Sequence, residues 1–100
     1  MVERYVFAKL RAEHATQAGR AEARRQARAL AGVSGASSVR TGEPADDGAL
    51  HAWDISVVVR FADAASARAA LTDPAYAAFE RYLASAAQVV KQWSFVLQQE

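Results

Sequence analysis

The sequence predicts an α+β sandwich in which helices cover one face of an antiparallel sheet. Three stretches of alternating apolar and polar residues, ERYVFAKLR, WDISVVVRF and VVKQWSFVL, read as strands at the start, middle and end of the chain. Capped helical segments separate them, and only one strand-to-strand connection is tight. At 100 residues the chain has room for one domain, spanning 1–100.

Glu3 to Arg11 forms the first expected strand, with Arg4, Val6, Ala8 and Leu10 on one face and Glu3, Tyr5, Phe7 and Lys9 on the other. Thr16 is a suitable N-cap for a helix through Ala31, and Gly32 a suitable stop. Arg20, Arg24 and Arg28 make an i,i+4 row on it, either a solvated face or an anion-binding edge. After a turn at Gly32–Gly35, Ala36 to Thr41 can form a short second strand. The segment Gly42 to Ala49 (GEPADDGA) reads as a loop.

The third strand places Trp53, Ile55, Val57, Val59 and Phe61 on one face and Asp54, Ser56, Val58 and Arg60 on the other. Asp63 caps the next helix, and Asp73-Pro74 repeats the N-cap and first-turn proline for another. In that last helix Ala75, Phe79, Tyr82 and Ala86 share a stripe, overlapped by Tyr76, Phe79 and Leu83. The closing strand sets Trp93, Phe95 and Leu97 against Gln92, Ser94 and Val96. The order β-α-β-β-α-α-β is that of a ferredoxin-like sandwich.

Alanine makes up about a quarter of the residues. It buries little area, and at ~25 cal/mol per Å² the helices add only a thin apolar layer. One sheet face stays bare, carrying Tyr5, Phe7, Val58 and Val96 among Glu3, Lys9, Asp54 and Arg60. A half-apolar face of that size favours packing against its own copy, so a homodimer through the open sheet face is expected.

A net charge of +1 offers no electrostatic case for nucleic acid or an anionic membrane. The absence of cysteine excludes disulfides, thiol nucleophiles and thiolate metal sites. No signal-peptide pattern opens the chain and no apolar run approaches the ~20 residues that span a bilayer, so a cytoplasmic protein is expected. His14 and His51 stand far apart without nearby carboxylate spacing, which argues against a metal site. No phosphate loop, nucleophile elbow or other cofactor motif is present, and no cofactor is expected.

Together YVFAKLR, ARALAGVSG, WDISVVVRF and DPAYAAFERY with a terminal strand resemble the stress-responsive dimeric α/β-barrel (Dabb) family over nearly the whole chain. The resemblance implies a ferredoxin-like monomer, two sheets facing each other in a dimer, and a small-molecule cavity between each sheet and its helices. It also implies either stress proteins without clear catalysis or polyketide cyclases performing aldol condensation. Where the family commonly has His-Pro-x-His, this chain has Asp73-Pro74-Ala75-Tyr76, so Tyr76 stands at the cyclase base position. Arg4 and Ile55 stand where the cyclases place two further histidines.

Tyr76, at the start of the last helix, is the first catalytic candidate: a phenol is a poor base at neutral pH but a good donor to an oxyanion. Arg4 is the second, able to hold a carboxylate or enolate, and His51 is a possible general base. Ala8, Trp53, Ile55, Phe79, Tyr82, Trp93 and Phe95 are candidate pocket residues, with Ala8, Ala23, Ala27 and Ala78 leaving space for a ligand. The expected function is cofactor-independent cyclisation or isomerisation of a polyketide-like or aromatic substrate through an enolate. The alternatives are a non-catalytic stress-responsive or ligand-binding protein and a cofactor-free monooxygenase of antibiotic biosynthesis.

Overall fold

A computed structural model describes residues 1–100. The chain runs β1 (Val2–Leu10), α1 (Gln17–Arg28), β2 (Ala36–Gly42), α2 (Asp47–Ala52), β3 (Ile55–Phe61), α3 (Ala64–Ala70), α4 (Pro74–Ala86) and β4 (Ala87–Val96). Every strand pair is antiparallel and the sheet order is β2-β3-β1-β4. The molecule is a slab of 36 × 33 × 17 Å, and that thinnest dimension accommodates one sheet and one helical layer only.

The sandwich interior is one cluster of 19 buried residues. Val6, Ala8 and Leu10 of β1 and Ile55, Val57, Val59 and Phe61 of β3 meet Ala23 and Ala27 of α1, Ala67 and Ala70 of α3, and Tyr76, Phe79 and Leu83 of α4. The caps are those the sequence suggests: Thr16, Asp63 and Asp73 accept from the amides of Gly19, Ser66 and Ala75. Gly19 is obligatory, because a Cβ there would lie 1.7 Å from the His14 carbonyl oxygen. Gly35 turns the chain into β2 with φ +88°, a conformation that favours glycine.

Several expectations are corrected. The Gly42–Ala49 loop is interrupted by α2, whose N-cap Asp46 accepts from the Ala49 amide at 2.8 Å. The alanines do not leave a cavity: Ala8, Ala23 and Ala27 are fully buried, and their small side chains let α1 settle directly on the sheet, while Ala78 faces solvent. Two of the three row arginines are engaged by acids, Arg20 pairing with Asp54 at 3.5 Å and Arg24 with Glu43 at 3.5 Å, while Arg28 is exposed as a solvated face requires.

Trp53 and Asp54 take faces opposite to those alternation predicts. Alternation begins only at Ile55, where β3 begins, so Asp54 and Ile55 are both buried. Trp53 instead turns to the open face, its ring 5.6 Å from Phe7. Asp54, 1% exposed, immediately precedes β3 and turns inward beside the end of β1. There it accepts the Leu10 amide at 2.8 Å, with Arg20 at 3.5 Å and Lys9 at 3.7 Å adding charge compensation.

Asp54→Ala is expected to cost about 2–3 kcal/mol, because it strands a buried amide and removes the acid facing Arg20. Asp54→Asn keeps an acceptor and should cost clearly less. Urea denaturation of both variants checks this, and equal stability of Asp54→Ala and wild type would contradict it.

Candidate functional site

Arg4, Tyr76, Gln92 and Ser94 meet on the helix-covered side of β1 and β4. The register places Arg4 opposite Ser94 and Val6 opposite Gln92, so both β4 side chains share the inner face with Arg4. Tyr76 arrives from the first turn of α4, whose position Asp73 fixes twice. One carboxylate oxygen accepts the Ala75 amide at 2.9 Å, and the other accepts the Ser34 amide from the turn before β2 at 3.1 Å.

Each nitrogen of the Arg4 guanidinium donates one hydrogen bond, three of its five donors in all. Its Nε donates to the Tyr76 hydroxyl oxygen at 2.6 Å, Nη1 to Ser94 Oγ at 3.0 Å and Nη2 to Gln92 Oε1 at 3.2 Å. Its Cζ lies 5.5 Å from the centroid of the Tyr76 ring. The Tyr76 hydroxyl in turn donates to Gln92 Oε1, and Gln92 Nε2 donates to Glu80 Oε2 at 3.4 Å. No carboxylate forms an ion pair with Arg4; Arg20, Arg24, Arg25 and Arg60 each have one, and the other arginines without one, Arg11, Arg28, Arg40, Arg68 and Arg81, are exposed, whereas Arg4 is half-buried.

Tyr76 is 1% exposed, and burial pushes its phenol above the ordinary value, opposed by the hydrogen bond and charge of Arg4 and reinforced by Glu80. At neutral pH it is a protonated donor rather than a base. Tyr82 is raised by burial and then by Glu22, and Tyr5 chiefly by its hydrogen bond to Glu3. All of these folded values lie above the unfolded value of about 10. Their stabilising contribution is therefore complete below pH ~10 and is lost as pH rises through the folded values. Spectrophotometric titration should show phenolate appearing above the peptide value and together with unfolding; a phenol ionising below it in the folded protein would contradict this.

The other sequence candidates separate into two groups. Ala8, Ile55 and Phe79 are core residues, and Tyr82 stacks on Phe79 at 6.5 Å between centroids at the core's edge. Trp53, Trp93 and Phe95 lie on the open face with Tyr5 and Phe7: Trp93 sits 5.9 Å from Phe7, and Phe95 sits 5.7 Å from Tyr5. Alternation states which residues share a face but not which face is covered, and pairing with β1 aims Trp93 and Phe95 outward. Val96, opposite Val2, falls on the helix side. His51 is exposed in the last turn of α2. The Asp54 amide donates to the Ala8 carbonyl, so His51 lies beyond that end of β1, and Arg4 stands four residues, or ~13 Å, along the strand.

Gln92 and Ser94 are site residues that candidate selection missed. Their signal was present, since polar side chains alternate with Trp93 and Phe95 on a strand that has one covered face. No group of three or more His, Asp or Glu residues is placed to hold a metal ion. No helix is long and apolar enough to cross a membrane. Two clefts border the cluster. One of about 240 Å³ includes Ser94, Val2, Ala67 and Leu71; the other, of about 170 Å³, includes Gln92, Glu80, Leu83, Ala84 and Val90.

No protein-family model and no curated protein matches the chain. Solved structures do. A Dabb family protein with a ferredoxin-like fold from Mesorhizobium loti has a TM-score of 0.79 at 16% identity, over 98% of this chain and 97% of that one. The hydroxynitrile lyase of Passiflora edulis has a TM-score of 0.81 at 11% identity, over 99% and 94%. A dimeric protein of unknown function and ferredoxin-like fold from Bacteroides fragilis has a TM-score of 0.73 at 17% identity, over 96% and 95%. At these identities the likeness shows the fold: the ferredoxin-like sandwich expected from the sequence is the observed one, and it is the fold of a Dabb protein.

Proposed function

We propose that this protein is a homodimeric, small-molecule-binding barrel that acts without a cofactor on an aromatic or polyketide-like carbonyl compound, stabilising its enolate or oxyanion with Arg4 and Tyr76. The observation that carries this reading is the Arg4–Tyr76 pair itself, a guanidinium without a carboxylate partner hydrogen-bonded at 2.6 Å to a buried, protonated phenol. Charge developing on a substrate oxygen gains most from donors already oriented in a partly dry site. His51 has no part in this proposal, because it lies at the other end of β1. The homodimer is supported by the bare aromatic sheet face, and by the dimeric state of the Bacteroides fragilis structure of the same fold.

Cofactor-free turnover of linear aromatic polyketones and of aromatic cyanohydrins by the purified protein tests the reading, with Arg4→Ala and Tyr76→Phe run alongside. Turnover that falls in both variants supports it. A second reading, a non-catalytic ligand-binding protein, is favoured by one feature: Gln92 and Ser94 already accept from the Tyr76 hydroxyl and from both terminal nitrogens of Arg4. Binding of these compounds without turnover would select that reading.

A further inference from the structure

Gln92 holds a position in the cluster that the β4 ladder does not require. Its carboxamide oxygen receives the Tyr76 hydroxyl and, at 3.2 Å, Arg4 Nη2. Two donors, one of them cationic, thus converge on a single sp² oxygen, as donors do on a carbonyl oxygen that is gaining charge. A neutral carboxamide supplies only a dipole to a guanidinium that has no acid beside it. The side chain is half-buried on an edge strand, and beyond it lies the cleft of about 170 Å³ beside Leu83, Ala84 and Val90.

We propose that the Gln92 carboxamide is a resident surrogate for a ligand oxygen: it fills an oxyanion site made by Arg4 and Tyr76, and a carboxylate or enolate with a compact apolar body displaces it. The inference rests on reading Arg4 and Tyr76 as a ligand site. Displacement keeps the number of hydrogen bonds at the donors but replaces a neutral acceptor with a charged one, and charge-assisted bonds are about twice as strong. The apolar body then lies against Leu83, Ala84 and Val90. Glu80, exposed at the rim of the same cleft, opposes a second negative charge, so the fitting class is a monoanion.

Calorimetric titration with benzoate, and with neutral benzamide as control, tests this. Gln92→Ala leaves the donors unoccupied and should tighten benzoate binding about tenfold over wild type, the equivalent of one charge-assisted bond no longer competed for. Benzamide should gain less, and adding Arg4→Ala should abolish the benzoate gain. If Gln92→Ala folds poorly, Gln92→Thr shortens the side chain with a residue suited to strands and should give the same gain. Benzoate binding no tighter in a folded variant than in wild type would overturn the surrogate role. The two readings fail separately. Turnover lost in Tyr76→Phe with no gain at Gln92→Ala removes the surrogate alone, while a gain with no turnover in any protein removes catalysis alone.

Discussion

Tyr76→Phe is expected to lower turnover of an enolisable aromatic substrate by about one to three orders of magnitude, the loss typical of removing one oxyanion donor. The ring remains in the core beside Phe79 and Leu83, so the fold should persist. What is lost is the hydroxyl between Arg4 Nε and Gln92, at a stability cost of about 1–2 kcal/mol. Arg4→Ala should be at least as damaging to activity, since it removes the positive charge hydrogen-bonded to Tyr76 together with its bonds to Ser94 and Gln92. Arg4→Lys keeps the charge without the planar fork and should fall between the two. Steady-state kinetics separate the roles. A fall in kcat together with kcat/KM marks contacts made in the transition state, and a rise in KM alone marks simple binding. Unchanged kinetics in both Tyr76→Phe and Arg4→Ala would remove the proposed chemistry.

Trp93→Asp is expected to convert the proposed dimer to a monomer at micromolar concentrations. Trp93 is 46% and Phe95 56% exposed in the single chain, on the face that also carries Tyr5, Phe7 and Trp53. A central interface tryptophan typically contributes about 2–4 kcal/mol, and a charge buried in its place adds a desolvation penalty. The dissociation constant should therefore rise by about two to three orders of magnitude. Because the side chain is outside the 19-residue core, the loss should appear in assembly rather than in the fold of the protomer. Sedimentation velocity with parallel circular dichroism checks both halves. A wild-type protein that is monomeric, or a Trp93→Asp protein that dimerises unchanged, would contradict the open-face dimer.

The candidate site was half legible in the sequence. Arg4 falls in register with Val6 and Ala8, and Asp73-Pro74 starts a helix that carries Tyr76 inward; strand period and capping chemistry are local and readable. Gln92 was not selected, because its importance arises from facing Val6 across β1, a pairing separated by most of the chain. His51 looked suitable by residue type alone. Its distance from Arg4 follows from the Asp54–Ala8 contact, which no local pattern encodes.

Most of the element order, the caps at Thr16, Asp63 and Asp73 and the ferredoxin-like topology were determined by the sequence itself, because each rests on short-range periodicity and on side chains bonding amides within a turn; the short helix α2, capped by Asp46 inside a stretch that reads as loop, was not. Tertiary structure decided the rest. Trp53 and Asp54 exchanged faces because both precede the first residue of β3 and Asp54 bonds the Leu10 amide of β1, a contact 44 residues distant in the chain. Trp93 and Phe95 went to the open face because β4 pairs with β1 in one register only, and a one-residue slip would have turned Gln92 and Ser94 outward instead. The Arg4–Tyr76–Gln92 cluster exists for the same reason. Strand alternation divides side chains into two sets, and only long-range pairing determines which set the helices cover.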